Sequence, residues 1–214
     1  MKKKLIIFDY DGVIVDSLDI NLKIAKQACE EIDHSNFPLK SDIEQLDNIS
    51  FEELGRQIGL PQDKTTLFAD HVFKLLVRNT QVPHIFSGID KVIQKLGDKN
   101  HLAIVTTNVK CAVDQVLEKE KLQDKVHLVM GAEKPGSKSE KIITAVREFK
   151  VTLGNTYMIG DAMSDILEAK KAGVKSIAVT WGYHSRAKLE KARPDFLVNT
   201  PYEILPIVNS ENLC

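Results

Sequence analysis

Leu5-Ile6-Ile7-Phe8 is an apolar run followed at once by Asp9 and Asp11, and no other segment constrains the chain as tightly. The run is too short for a helix and does not alternate, so it predicts a strand buried on both faces, as in a parallel sheet. In open α/β sheets chemistry gathers at the carboxyl ends of such strands. Two carboxylates held close together resist burial unless a cation or a shared proton offsets their charge. A divalent metal is the simplest offset.

The chain has 214 residues, 43% of them hydrophobic, which suits one α/β domain with a modest insertion. From Val82 onward short apolar strands alternate with helical patterns, the signature of repeated βα units. Predicted strands are His101 to Val105, Val126 to Met130, Thr156 to Ile159, Ser176 to Val179 and Phe196 to Val198. Predicted helices lie near Ile89 to Leu96, Cys111 to Glu118, Ser139 to Phe149 and Met163 to Ala172, with shorter ones near Ala187 to Lys191 and Tyr202 to Val208.

Residues 16–81 differ, offering helical spacing and no strand candidate. Leu18, Leu22, Ala25 and Cys29 recur at helix spacing, as do Phe51, Leu54 and Ile58, and then Leu67, Val72, Leu75 and Leu76. Gly59-Leu60-Pro61 separates the last two groups, with Gly as helix stop and Pro just beyond. The expected architecture is a doubly wound parallel α/β sheet from residues 1–15 and 82–214, with a small all-helical cap, residues 16–81, inserted after the first strand.

A net charge of -1 with 28% charged residues gives no electrostatic reason to expect nucleic acid or an anionic membrane as partner. Lys2-Lys3-Lys4 reads as a solvated lead-in to the first strand. No apolar stretch reaches the length of a signal peptide core or a membrane span, so a cytoplasmic location is expected. Cys29, Cys111 and Cys214 are widely separated, lack any Cys-x-x-Cys pair, and read as reduced thiols.

More carboxylates follow the strand ending at Ile159, in Gly160-Asp161-Ala162-Met163-Ser164-Asp165. If Met163 opens a helix, Asp161 and Asp165 can face one cation. The alternative is that Asp161 or Ser164 caps the helix while Asp165 complements its dipole. Carboxylate oxygens without a His or Cys cluster suit a hard ion, Mg²⁺ above all. A third strand end supplies Thr106, Thr107 and Asn108, whose hydroxyls, amide and following helix N–H groups can hold phosphate oxygens. Lys134 and Lys138 precede the next helix, where a lysine can offset two aspartates and a phosphoryl group.

With these four segments in order, the chain resembles the haloacid dehalogenase superfamily, particularly its phosphoglycolate-phosphatase-like branch. Asp9-Tyr10-Asp11-Gly12 through Ser17 looks like its Asp-x-Asp-Gly motif, Thr106 fits the second motif, and Gly160-Asp161 through Asp165 looks like its acidic fourth. The third motif departs from the commoner Lys-Pro-x-Pro form, reading Lys134-Pro135-Gly136-Ser137. Lys138 stands 23 residues before Asp161, closer to the family habit, and is favoured over Lys134, with the assignment left open.

The resemblance implies a Mg²⁺-dependent phosphatase acting on a small phosphorylated metabolite. Asp9 is the implied nucleophile, forming an aspartyl phosphate, and Asp11 the implied acid and base. Asp9, Asp11 through its backbone carbonyl, Asp161 and Asp165 are the implied metal ligands. Thr106 and Lys138 would hold phosphoryl oxygens, with Gly12, Thr107 and Asn108 completing the substrate site. Asp11 argues against dehalogenation, since a halide leaving group needs no proton. Sugar phosphomutases are the second reading, although they carry a His near the position of Asn21. A phospho-accepting or phosphate-binding regulatory protein is the non-enzyme alternative. In Thr180-Trp181-Gly182-Tyr183-His184, Trp181 is read as a packing residue and His184 as a surface or packing residue.

Overall fold

A computed structural model describes residues 3–210; Lys2 and Cys214 lie outside the described residues. The first strand, β1 (Leu5–Phe8), is fully buried, and its alternate side chains feed two separate cores. Leu5 and Ile7 pack with Ala103, Ile142, Met158 and Ala169 on one face. Ile6 and Phe8 pack with Ile89, Val92, Leu102 and Val113 on the other. A strand with helices on both faces has no polar side to present, which is why its sequence runs apolar without alternation.

After β1 the chain makes a turn and a two-residue strand, β2 (Val15–Asp16), that pairs antiparallel with β3 (His84–Ile85). These short strands were not expected, because two residues carry no period to read. They form the ribbon through which the chain leaves the sheet and returns.

Between them lie α1 (Leu18–Glu31), α2 (Lys40–Gln45), α3 (Phe51–Gln57) and α4 (Gln62–Arg78). They enclose a core of their own, built on Ala25, Cys29, Leu54, Phe68 and Val72. Gly59 takes φ +86 just past α3, the left-handed geometry that ends a helix, and Pro61 sits immediately before α4. The expected apolar face of α4 needs correction. Leu67 is exposed, and the buried stripe is Thr65, Phe68, Val72 and Leu76, because Thr65 hides its hydroxyl by donating to Gln62 O at 2.9 Å. The six-residue α2 also escaped the sequence reading, since it buries only Ile43.

The return to the sheet follows the expected βα order. It runs α5 (Ile89–Gly97), β4 (His101–Val105), α6 (Lys110–Lys119), β5 (Leu128–Met130), α7 (Lys138–Phe149), β6 (Thr156–Gly160), α8 (Met163–Ala172), β7 (Lys175–Val179), α9 (Arg186–Lys191), β8 (Phe196–Val198) and α10 (Ile204–Asn209). The six-stranded sheet has the order β5-β4-β1-β6-β7-β8, with every pairing parallel. β1 is therefore the strand at which the order reverses. Its carboxyl end, flanked by those of β4 and β6, is where a crevice opens in a sheet of this kind.

Candidate active site

Asp9 is the first residue beyond β1, and its N–H donates to Ile159 O at 2.8 Å, tying it to β6. The turn that follows folds back on Tyr10, whose carbonyl accepts from Ile14 and Val15 at 2.9 and 3.1 Å. Gly12 sits in that turn at φ +76, and a Cβ there would meet Asp161 Oδ2 at 2.0 Å. A Cβ on Gly182 would stand 2.3 Å from the same oxygen. The two glycines thus clear the space in which the Asp161 carboxylate lies, which any side chain would fill.

Asp9, Asp161 and Asp165 converge, with ligand oxygens all within 4.8 Å of one another. Lys138, at the start of α7, donates to Asp9 Oδ2 at 2.7 Å and Asp165 Oδ1 at 2.5 Å. Lys134 is exposed on the loop before it. Between the two candidate lysines, the fold brings Lys138 to the aspartates. The N–H of Ala162 holds Asp165 Oδ2 at 3.1 Å, and the N–H of Tyr183 holds Asp161 Oδ2 at 2.7 Å.

Three buried carboxylates against one ammonium leave excess negative charge. Burial pushes Asp9 up to about 7, against the opposing pull of Lys138. Burial, reinforced by Asp165 and Asp9, raises Asp161 well above the usual carboxylate range. Burial alone would depress the Lys138 ammonium, but Asp165 and Asp9 outweigh it and hold the lysine charged. An oxygen-only donor set with surplus negative charge fits a hard divalent cation.

Asp11 is not one of this converging group, and its carboxylate is held by other partners. Asn108 Nδ2 donates to its two oxygens at 3.3 and 3.0 Å, and the Ser17 hydroxyl donates to Oδ1 at 2.5 Å. Thr106, at the end of β4, is buried, and its Oγ1 accepts from the Asn108 N–H at 2.9 Å. Asp11, Thr107 and Asn108 open onto a cavity of about 470 Å³ that runs beneath the helical insertion. A carboxylate cluster, a lysine and a second acid thus share one end of the sheet, beside a space for a small molecule.

The model of the haloacid dehalogenase-like hydrolase family matches residues 6–179. The chain belongs to this family. It is 28% identical over 213 residues, covering 95% of this chain and 92% of the relative, to a probable phosphatase, IndB, of Dickeya dadantii. It is 26% identical over 204 residues, covering 95% and 96%, to a phosphoglycolate phosphatase of Synechococcus elongatus. Among solved structures, a haloacid dehalogenase-like family hydrolase from Streptococcus pneumoniae superposes with a TM-score of 0.83 at 22% identity, covering 96% and 98%, and shows the same fold. The protein is a phosphatase of this family, so the non-enzyme reading is set aside.

Three supporting residues of this hydrolase were not legible as such in the sequence. Tyr183 places its hydroxyl 2.9 Å from Ser17 Oγ and 3.2 Å from Asn21 Nδ2, joining the loop after β7 to the Asp11 network. Buried Lys141 donates to Gly131 O at 2.8 Å and Thr106 O at 3.4 Å, fixing the loop ends after β5 and β4. Lys188 Nζ reaches the insertion, donating to Glu44 O at 2.6 Å and Leu46 O at 2.5 Å. Apart from Gly131, ten residues before Lys141, these partners lie at least 35 residues away, so local spacing carries no signal of them. His184 is buried and not at the surface, and its Nδ1 accepts from the Met163 N–H at 3.0 Å at the start of α8. Trp181 donates from Nε1 to Val13 O at 3.2 Å, pinning the turn after β1.

Proposed function

We propose that this phosphatase hydrolyses small phosphomonoesters with Mg²⁺, through an aspartyl phosphate on Asp9. The observation that carries the reading is the position of Asp9: buried at the end of β1, bonded to Lys138 through Oδ2, and converging with Asp161 and Asp165. Lys138 offsets charge on the nucleophile and on the incoming phosphoryl group. Asp9, Asp161 and Asp165, with the Asp11 carbonyl, would hold the cation. When bound it supplies charge neutralisation at the phosphoryl oxygens and alignment of the group in transfer.

An Asp9 carboxylate oxygen attacks phosphorus as the P–O bond to the leaving group breaks, and Asp11 gives its proton to the departing oxygen. Water then attacks the aspartyl phosphate and passes its proton back to Asp11, and the Asp9–phosphorus bond breaks to release phosphate. Support for Asp11 in this role is its position on the cavity, where a leaving group would sit, held by Asn108 and Ser17. Thr106, Thr107 and Asn108 provide hydroxyls and an amide for the remaining phosphoryl oxygens, and Gly12 leaves room for the Asp161 carboxylate. Asn21, 3.4 Å from Asp11 Oδ1, has no titratable proton to relay, which favours hydrolysis over a phosphomutase. Among the described residues no helix is long and apolar enough to cross a membrane, and a cytoplasmic metabolite is the partner proposed here.

Phosphate release from a panel of small esters, with and without Mg²⁺, tests the reading. Mg²⁺-dependent release that disappears in Asp9→Asn is expected; retention of more than a trace in that variant removes Asp9 as nucleophile.

A further inference from the structure

We infer that the substrate's leaving group is an uncharged, apolar body at least the size of an aromatic ring, and that carboxylate-bearing esters are disfavoured. The inference rests on the phosphatase reading of the same site. The space available is the first reason. The cavity opens from Asp11, Thr107 and Asn108 and encloses about 470 Å³. Cavities of this size surround drug-sized ligands, and a two-carbon acid would leave most of it to water.

The second reason is the wall. All four helices of the insertion contribute apolar side chains to it, among them Leu18, Leu22, Ile43, Leu54, Phe73 and Leu76. Phe73 keeps 39% of its surface exposed there. Apolar surface concentrated on one side of a cleft is stabilised when an apolar ligand covers it.

Charge supplies the third reason. The charged side chains that the insertion brings to the cavity are Glu52 and Asp70, with no Arg, Lys or His among its described lining residues. The core contributes Asp11, Lys141 and Lys134. Lys141 is committed to the Gly131 and Thr106 carbonyls, and Lys134 is exposed on the loop after β5. A leaving-group carboxylate would approach two like charges with no arginine fork to receive it. Of the polar lining, Asn21 and Tyr183 are already bonded to each other at 3.2 Å.

The test compares kcat/KM for benzyl phosphate, phosphoglycolate and glycerol phosphate, all esters of alkyl alcohols, in the Mg²⁺-loaded wild-type protein. Non-hydrolysable phenylethylphosphonate and phosphonopropionate are compared in parallel by calorimetry. Benzyl phosphate is expected to lead by roughly 50-fold, the ratio that covering about 100 Å² of apolar surface supplies. Phenylethylphosphonate should bind the more tightly of its pair. Phe73→Arg changes an exposed wall residue and should narrow both preferences by about tenfold, since it adds a cation and removes a ring. Turnover of phosphoglycolate or glycerol phosphate at or above the rate of the benzyl ester overturns the inference and leaves the phosphatase reading intact. If no ester is turned over, the phosphatase reading fails and the inference falls with it; where esters are turned over, tighter binding of phosphonopropionate than of phenylethylphosphonate also overturns the inference.

Discussion

Lys138 at the start of α7 donates to Asp9 Oδ2 at 2.7 Å, joining residues 129 positions apart, and its other short contact is Asp165 Oδ1 at 2.5 Å. One ammonium therefore stands between the proposed nucleophile and a second carboxylate, all three largely out of solvent. A charge placed there acts undiluted by water on whatever negative charge develops at phosphorus.

Lys138→Ala should lower kcat/KM by about 10²- to 10³-fold, the usual cost of removing one preorganised charged donor from such a site. It should also lower Tm, because Asp9 and Asp165 are left as buried charges without their partner. Lys134→Ala, on an exposed loop, should cost less than about tenfold, since one solvated charge at a cavity rim contributes little. Steady-state kinetics on both variants check this, and a larger loss in the Lys134 variant would reverse the assignment of the motif lysine.

Burial of Asp161 against Asp9 and Asp165 sets function against stability. In EDTA, Asp161→Asn should raise Tm by a few degrees, because an acid whose ionisation burial, Asp165 and Asp9 oppose is replaced by a neutral amide. Divalent cation at about a hundred times its Kd should raise the wild-type Tm by roughly 5–10 °C and leave the variant unmoved. Gly182→Ala should abolish the same shift by another route, its Cβ falling 2.3 Å from Asp161 Oδ2. Gly154→Ala, where a Cβ meets nothing within 4 Å, is the matched control. Differential scanning calorimetry reads all four proteins; a metal-dependent shift that survives in Asp161→Asn would remove Asp161 from the ligand set.

The parts of this molecule that are legible in sequence are those written in short repeats. Strands buried on both faces announce themselves as unbroken apolar runs, so β1, β4 and β6 were foreseen, and with them the strand ends that carry Asp9, Thr106 and Asp161. Helix α1 showed its period through Leu18, Ala25 and Cys29. The β2–β3 ribbon stayed hidden because two residues have no period, and α2 because a single buried Ile43 makes no stripe. Leu67 fits the helical spacing of α4 yet is exposed, because Thr65 turns its hydroxyl back onto the helix and takes a buried position. Which lysine stands beside Asp9 is not legible in sequence, since that proximity depends on how β6 and α7 cross over the sheet. Tyr183 and Lys188 belong to contacts between the sheet's far loops and the helical insertion, and such contacts leave no trace in local spacing.

Those contacts hold the insertion over the site. Lys188 on α9 donates to the carbonyls of Glu44 and Leu46 at the end of α2, while the Glu44 carboxylate accepts from Ser185 N–H at 2.9 Å and Ser185 Oγ at 2.6 Å. The cavity wall residue Ile43 is adjacent, so the position of the wall depends on this clasp. Lys188→Ala leaves two carbonyls without their charged donor, which weakens the closed arrangement relative to an open one. The proposed chemical groups lie on the sheet side and are not touched. KM should therefore rise by about 5- to 20-fold, equivalent to roughly 1–2 kcal/mol, with kcat changed less than about threefold. Lys188→Arg, which keeps a charged donor, should recover most of the loss. Separate kcat and KM values for the three proteins check the point, and a fall in kcat at constant KM would mean that the clasp acts on chemistry and not on closure.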